Sequence, residues 1–155
     1  MGQIQGSMGN IGSIAQINAD WQVLIVDDDP AMQALIADYL SRLGYQTICF
    51  GNADEALLYA QKWLQNIPSR EKSGCGKLLV ISDLHLPHMH GYEFVARLKA
   101  LGVPMASILM SSFGSEKKRV EALAKGASAY LDKPFGLQEL RTAMRDLQRQ
   151  PLSPT

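Results

Sequence analysis

The stretch Val23-Leu24-Ile25-Val26-Asp27-Asp28-Asp29 is an apolar run that ends in three carboxylates. A continuous run of branched apolar residues is typical of a strand that is buried on both faces of a parallel sheet. Two later runs also end in charge, since residues 78–82 precede Asp83 and residues 129–132 precede Lys133. The functional crevice of an open parallel sheet lies at the carboxyl ends of its strands. We therefore expect these charged groups to meet in one pocket that suits a divalent cation and phosphate chemistry.

Strand and helix patterns alternate along the chain from residue 22 onwards. Asp29 is placed to cap the first helix and Pro30 suits its first position, while Asn52 with Glu55 resembles a capping box. Five strands that alternate with five helices predict a doubly wound α/β fold, with a parallel sheet covered on both faces. Strands are expected at residues 22–26, 46–50, 78–82, 105–110 and 129–131, and helices at 30–43, after Asn52, and at 92–101, 115–125 and 137–147.

The composition restricts the classes of function. The 155 residues are 46% hydrophobic and 19% charged, which is ordinary for one globular domain. The formal net charge of zero gives no general reason to bind nucleic acid or an anionic membrane. No stretch reads as a signal peptide or a membrane span, and the two cysteines lack a metal-type spacing. The expected location is the cytoplasm.

The chain is expected to consist of three segments. Residues 1–20 are rich in Gly, Gln, Asn and Ser and are predicted to be a flexible arm. Residues 21–149 are predicted to form the folded domain, and residues 150–155 a disordered tail. Within the domain, a polar stretch at residues 65–77 predicts a loop.

Each polar strand end admits a chemical role and a plain structural one. Asp27 and Asp28 suit Mg²⁺, which binds oxygen ligands and often uses one or two carboxylates with phosphate; solvated carboxylates are an equal alternative. Asp83 can act as a nucleophile that becomes an acyl phosphate, or can simply form a turn. A phosphoryl oxygen can be contacted by Lys133 and by the hydroxyl of either Ser111 or Ser112, although a turn serine and a surface lysine are the more common cases.

The order and spacing of these residues resemble the receiver domain of two-component response regulators, the CheY-like family. The resemblance covers residues 21–149 and implies a five-stranded flavodoxin-like sheet with strand order 2-1-3-4-5. It implies a switch that modifies itself with Mg²⁺, and not an enzyme that turns over an external substrate. The matching pieces are residues 23–29, Asp83-Leu84-His85-Leu86-Pro87, Gly91, Ser111, and residues 126–135 up to Lys133-Pro134-Phe135.

The resemblance also implies a role for each matching residue. Asp83 is the expected phospho-acceptor and a metal ligand. Asp28 would bind Mg²⁺ directly, Asp27 mainly through water, and the backbone carbonyl of His85 would be a further ligand. The phosphate contacts and the switch are assigned to three residues: Lys133 as the phosphate-binding lysine, Ser111 as the switch hydroxyl and Tyr130 as the switch aromatic residue.

The expected partners follow from the same resemblance. A histidine kinase or phosphotransfer protein would supply the phosphoryl group, and an unknown downstream protein would bind the switched face. A homodimer through the face from the fourth to the fifth helix is a further expectation. Direct binding to nucleic acid or to a membrane is not expected. No output domain follows residue 149, so the chain is interpreted as a stand-alone receiver or one excised from a larger protein.

Two features depart from the family pattern. His90 stands where the family often has Asp before the loop glycine, and the stretch at residues 65–77 is long. His85, His88 and His90 could suggest a metal cluster, but their Pro-containing loop disfavours it. Phe113 is bulky and lies two residues after Ser111, near the expected path of hydrolytic water, so slow autodephosphorylation is predicted.

Two alternatives remain open at the level of the sequence. One is a small phosphatase of the haloacid-dehalogenase type, with Asp27 as nucleophile and Asp29 as acid/base. That family wants Thr or Val soon after its Asp-x-Asp, whereas Pro30 and Ala31 stand here. The other is a pseudo-receiver that signals only by binding, which the intact acceptor, acid pair, serine and lysine disfavour.

Overall fold

The computed structural model describes residues 20–66 and 76–150. Five parallel strands form one sheet in the order β2-β1-β3-β4-β5, and five helices connect them, which confirms the predicted fold class. The elements are β1 (Trp21–Val26), α1 (Pro30–Arg42), β2 (Gln46–Phe50), α2 (Ala53–Gln65), β3 (Lys77–Asp83), α3 (Gly91–Ala100), β4 (Met105–Ser111), α4 (Glu116–Ala124), β5 (Ala129–Asp132) and α5 (Leu137–Gln148).

The register of the sheet aligns the carboxyl ends of its strands. Val26 pairs with Phe50 on one side and with Ser82 on the other. Further along the sheet, Asp83 pairs with Met110, and Ser111 pairs with Asp132. The chain after β1, β3, β4 and β5 therefore leaves the sheet along one edge, and residues far apart in sequence become neighbours there.

Alternate residues of the central strands supply the two sides of the core. Val23 and Ile25 of β1 belong to a buried cluster with α1 and α5, which includes Ile36 and Met144. Leu24 and Val26 point the other way, into a cluster with α2 and α3. Because both faces of β1 are covered, the strand is apolar throughout, which is the pattern from which the fold was predicted.

Polar caps begin the helices, and glycines follow them, largely where the sequence predicts. The Asp29 side chain accepts a hydrogen bond from the backbone N–H of Ala31, and that of Asn52 accepts one from Glu55, which confirms both predicted caps. α3 differs, because it spans residues 91–100 and not 92–101, and its cap is His90, which was not predicted as one. Glycines with positive φ follow three helices: Gly44, Gly102 and Gly126.

Several expectations concern residues outside the described ranges. These are the arm up to residue 19, residues 67–75 of the predicted loop together with Cys75, and the tail from residue 151. Within the described ranges, Cys49 is half-buried, and its thiol faces the backbone oxygen of Gln33 at 3.8 Å.

Candidate functional site

Asp27 is the buried centre of the site at the edge of the sheet. Its side chain is only 1% exposed, directly after β1. One carboxylate oxygen accepts a hydrogen bond from the backbone N–H of Asp29 at 2.9 Å, and the other accepts one from Nζ of Lys133 at 2.7 Å. Burial raises the pKa of Asp27, although Lys133 and the Asp29 N–H act in the opposite direction. The carboxylate thus depends on Lys133 for compensation of its charge.

Lys133 links two carboxylates that come from different strands. Its Nζ lies 2.7 Å from Oδ2 of Asp27 and 3.1 Å from Oδ2 of Asp83. Burial alone lowers the pKa of a lysine, but here the hydrogen bonds to the two carboxylates prevail, so the pKa of Lys133 is raised. The ammonium group is therefore fully charged at neutral pH. Lys133 precedes Pro134 through a cis peptide bond.

Asp83 ends β3 with its side chain mostly covered. Its Oδ2 faces Lys133, and its Oδ1 accepts a hydrogen bond from the backbone N–H of His85 at 3.1 Å. Gly91 begins α3 against this strand end, where its N–H donates to the Leu84 oxygen at 2.8 Å. A Cβ at Gly91 would lie 2.9 Å from the backbone oxygen of Asp83, so only glycine allows this close approach.

Three carboxylates at the site are close enough to share a cation. One oxygen each from Asp27, Asp28 and Asp83 lies within 4.8 Å of the others, and Asp28 is the exposed member. Among residues 20–66 and 76–150, these carboxylates form a group of potential metal ligands, whereas His85, His88 and His90 do not. Carboxylate oxygens next to open solvent fit a hard divalent cation such as Mg²⁺. The carbonyl of His85 stays a predicted ligand.

Ser111 ends β4, and Tyr130 lies in the neighbouring strand β5. In the register of these strands, Ser111 pairs with Asp132 and Tyr130 pairs with Leu109. Ser111 is fully buried, and its Oγ accepts a hydrogen bond from the backbone N–H of Phe113 at 3.1 Å. Tyr130 is 4% exposed, and its hydroxyl is buried without an aligned hydrogen-bond partner in the described ranges of the chain. Burial, and next the nearby Asp132, raise the pKa of Tyr130, while Ser111 lowers it. The phenol is therefore neutral and faces two candidate acceptors.

Exposed aromatic rings and a lysine lie around His85, two residues after Asp83. The His85 ring makes edge contacts with the rings of His90 and Phe113, with centroid distances of 5.6 and 6.2 Å. Nζ of Lys118 lies 3.3 Å from Nε2 of His85. Phe113 is 76% exposed, and the slow hydrolysis inferred from its size stays a prediction.

A groove of about 730 Å³ runs along the free edge of the sheet, between α4 and α5. β5 forms its floor, and Arg119 and Leu123 of α4 line one side while Thr142 and Asp146 of α5 line the other. Tyr130 also contributes to the lining. Tyr130 is therefore a buried residue that borders both the region of Ser111 and this groove.

Three residues that shape the site were not predicted from the sequence. Gln33 donates side-chain hydrogen bonds to two strand ends, Gly114 is required by the close approach of Asp132, and His90 caps α3. The position of His90 directly before a helix is a signal that could have been used. Gln33 lies on a helix face, and Gly114 lies in the loop between β4 and α4. Their contacts come from distant strands, which local spacing does not reveal.

A doubly wound sheet with carboxylates and a lysine at the carboxyl ends of its strands defines a flavodoxin-like domain with an acidic site. The family model of the response regulator receiver domain matches residues 23–145. The chain belongs to this family and is a receiver domain of the two-component response regulators. Family membership confirms the predicted class and decides against the haloacid-dehalogenase-type phosphatase.

Similar proteins agree with this assignment. The sensor histidine kinase RcsC of Salmonella typhi is 31% identical over 132 residues, which is 84% of this chain and 12% of that protein. The solved CheY-like receiver domain protein of Methanospirillum hungatei JF-1 is 27% identical with a TM-score of 0.66, and the match covers 82% of this chain and 92% of that one.

A second similar structure contains a modified site. It is a response regulator of Burkholderia pseudomallei, solved with a phosphorylated aspartic acid, a calcium ion and citrate. It is 27% identical with a TM-score of 0.65, and the match covers 82% of this chain and 68% of that one.

None of the helices in the described ranges of our chain is long and apolar enough to cross a membrane.

Proposed function

We propose that Asp83 is the phospho-acceptor of this receiver domain. The observation that carries the proposal is the position of Lys133, whose ammonium joins Asp83 to the buried Asp27. Asp83 is partly accessible at the edge of the sheet, whereas Asp27 is closed off. Of the two carboxylates, Asp83 is therefore the one that a phosphodonor can reach.

The transfer needs one nucleophile and compensation of charge. An oxygen of the Asp83 carboxylate attacks the phosphorus in line, and an O–P bond forms as the P–N bond of a phosphohistidine breaks. The imidazole, which is protonated on its other ring nitrogen, leaves as a neutral ring, so no proton is taken from Asp83. Lys133 then offsets charge on a phosphoryl oxygen, and Ser111 donates a hydrogen bond to it. The product is an acyl phosphate on the domain itself, so the domain is a switch and not an enzyme with an external substrate.

The acidic site would hold Mg²⁺ during this step. Asp28 and Asp83 would be the direct carboxylate ligands, Asp27 would act mainly through water, and the backbone carbonyl of His85 would be a further ligand. When bound, the cation compensates the charge that develops on the phosphoryl oxygens. Support comes from the 4.8 Å grouping of the three carboxylates and from the calcium ion in the phosphorylated Burkholderia relative.

The readout would run through Ser111 and Tyr130 to the groove between α4 and α5. Phosphate recruits the Ser111 hydroxyl, which opens space beside the buried Tyr130 ring and shifts the populations of its orientations. A downstream protein, or a second copy of the domain in a homodimer, would bind the altered face. The donor would be a histidine kinase or phosphotransfer protein in the cytoplasm, and residues 21–149 would form the switch.

The direct test is phosphorylation by acetyl phosphate with Mg²⁺, followed by intact-mass measurement. We expect wild type to gain one phosphoryl group that hydroxylamine releases, and Asp83→Asn to gain none. Asp38→Asn, at an exposed carboxylate in the second half of α1 that pairs with Arg42, is the matched control and should behave as wild type. Equal behaviour of wild type and Asp83→Asn would contradict the proposal, and no labelling of either would favour a pseudo-receiver.

A further inference from the structure

Gln33 is a side chain of α1 that holds two strand ends at the acidic site. Its Nε2 donates hydrogen bonds to the backbone oxygen of Asp27 and, at 3.2 Å, to that of Phe50. Its backbone N–H donates to the Asp29 oxygen at 3.1 Å, which fixes it in the first turn of the helix. A single amide therefore connects α1 with the ends of both β1 and β2.

The donor and acceptor numbers match at this position. A glutamine amide carries two N–H groups, and here they face two backbone oxygens. The Phe50 oxygen also accepts from the backbone N–H of Asp27 at 3.1 Å, so it keeps one partner when the amide is removed. The Asp27 oxygen is the acceptor that depends more on Gln33. An apolar side chain of the same length would thus release mainly the Asp27 carbonyl.

That carbonyl belongs to the peptide group that joins Asp27 to Asp28. Because a peptide group is planar, a donor on its oxygen fixes the plane and with it the direction in which the next residue leaves. The Asp27 carboxylate already has Lys133 and the Asp29 N–H as partners. The Asp28 carboxylate is exposed and lies beside the other two carboxylates of the site. The orientation of the peptide plane is therefore a principal restraint on the Asp28 carboxylate.

We propose that Gln33 is a positioning residue for the acid pair, which sets the spacing of the Asp27 and Asp28 carboxylates for a divalent cation. Gln33 touches neither the cation nor the phosphoryl group and acts through the shared peptide group. The inference rests on the proposed metal-dependent function. It adds that the affinity of the acid pair for its cation depends on a neutral amide of α1.

The test compares Mg²⁺ affinity in the absence of any phosphodonor, measured by titration of backbone amide NMR shifts at the site. Gln33→Met keeps the length and removes the donors, and we expect its Mg²⁺ affinity to fall about tenfold, the lower end for the loss of an outer contact at a metal site. Gln61→Met, the same change at an exposed position of α2, should leave the affinity unchanged. Equal affinities of Gln33→Met and wild type would overturn the inference.

A second readout separates positioning from a general loss of structure. The rate of phosphorylation by acetyl phosphate should fall in Gln33→Met at low Mg²⁺ and recover towards wild type when Mg²⁺ is raised about tenfold, in line with the shift in affinity. A rate that stays low at saturating Mg²⁺ would overturn the inference, because it would indicate damage beyond the acid pair. If wild type binds no Mg²⁺ or gains no phosphate, the proposed function itself fails.

A measurement on the wild type keeps the inference testable even if Gln33→Met does not fold. The side-chain N–H groups of Gln33 should exchange slowly with solvent, unlike those of the exposed Gln61. Gln33→Asn retains the amide on a shorter side chain that does not reach both oxygens, and it should show the same loss of Mg²⁺ affinity. Fast exchange at Gln33, or wild-type affinity in Gln33→Asn, would contradict a positioning role.

Discussion

The ammonium group of Lys133 compensates two carboxylates that the fold brings close together. Asp27 is buried and Asp83 is mostly covered, so water cannot fully replace the ammonium group of Lys133 as a partner of either carboxylate. Removal of one member of a covered ion pair leaves an uncompensated charge, which costs far more than the pair contributes on balance. The residue that serves the phosphate in the proposed mechanism thus also stabilises the domain before phosphate arrives.

We expect Lys133→Met to lower the free energy of unfolding by about 1–3 kcal/mol at neutral pH without Mg²⁺, less than for a fully buried pair because the side chain is partly exposed. Burial raises the pKa of Asp27 in the folded state above its ordinary value of 3.8. Between pH 3.8 and the folded-state pKa, the folded protein therefore binds more protons than the unfolded one. The contribution of protonated Asp27 to stability is therefore fully present below pH 3.8, and it is lost as the pH rises through the folded-state pKa.

Without Lys133 the pKa of Asp27 rises further, so the effect of the substitution should shrink as pH falls towards that window. Urea unfolding at neutral and mildly acidic pH measures this difference. Lys62→Met, which changes an exposed lysine of α2, is the control. A penalty that is independent of pH would show that Lys133 does not act through Asp27.

Gly114 is a second position where one atom decides the local arrangement. A Cβ there would overlap Oδ1 of Asp132 and would lie 2.5 Å from the hydroxyl of Tyr130. We expect Gly114→Ala to lower stability by about 1–3 kcal/mol through overpacking and to displace the Tyr130 ring, which NMR of the tyrosine ring protons would detect. Asp132→Ala should relieve part of this loss in the double variant.

The control for Gly114 is Gly136→Ala, because a Cβ at Gly136 meets nothing within 4 Å and its φ of −78° suits alanine. We expect Gly136→Ala to leave the Tyr130 signals unchanged. Unchanged tyrosine signals in Gly114→Ala as well would mean that the loop can move away without affecting the ring.

At the scale of the elements, α3 begins at an unusual cap. Nδ1 of His90 accepts a hydrogen bond from the backbone N–H of Tyr92 at 3.3 Å, which requires that this nitrogen is not protonated. Burial, followed by the nearby His85 and Lys125, lowers the pKa of His90. The cap is therefore intact at neutral pH and is lost in acid.

We expect His90→Asp to stabilise the domain by up to about 1 kcal/mol, because Asp is among the best N-cap residues and its charge suits the helix N-terminus. In wild type, the unfolded chain takes up the His90 proton at higher pH than the folded one, so stability falls as pH drops through 6.5. The gain from the substitution should thus be larger at mildly acidic pH than at alkaline pH in thermal unfolding.

His88→Asp makes the same change of charge two residues earlier in the same loop, where the side chain caps no helix, and it serves as the control. An equal gain from both substitutions would attribute the effect to general charge and not to the cap of α3.

At the scale of the whole molecule, the site and the groove lie on adjacent edges of one sheet. β4 and β5 connect them, since Ser111 ends β4 and Tyr130 lies within β5. The groove is lined on the α4 side by Leu123, which is 42% exposed, and Val120 of the same helix is 58% exposed. Exposed apolar residues beside a groove are suited to association with another protein surface.

We expect beryllofluoride with Mg²⁺ to increase the population of a homodimer through this face, as measured by sedimentation velocity. Leu123→Glu should abolish the increase, because it places a charge in the apolar contact. Leu58→Glu, at a similarly exposed leucine of α2, is the control and should not affect it. If the domain stays monomeric under all conditions, the expected homodimer is wrong, and the partner of this face is a different protein.

The sequence by itself determined the alternation of strands and helices, the double-sided burial of the central strands, and the caps at Asp29 and Asn52. These features are local, because burial on one or both faces imposes a repeat on consecutive residues and a cap requires only its own helix. The acidic and basic strand ends were also visible, since the carboxyl ends of parallel strands share one edge.

Only the tertiary structure decided which of these groups touch. Lys133 contacts Asp27 from 106 residues away. The contact exists because the parallel strands place the ends of β1, β3 and β5 at one edge of the sheet. The hydrogen bonds from Gln33 to two strand ends and the close packing of Gly114 against Tyr130 arise in the same way. Such contacts are set by packing between elements, which leaves no periodic pattern along the chain.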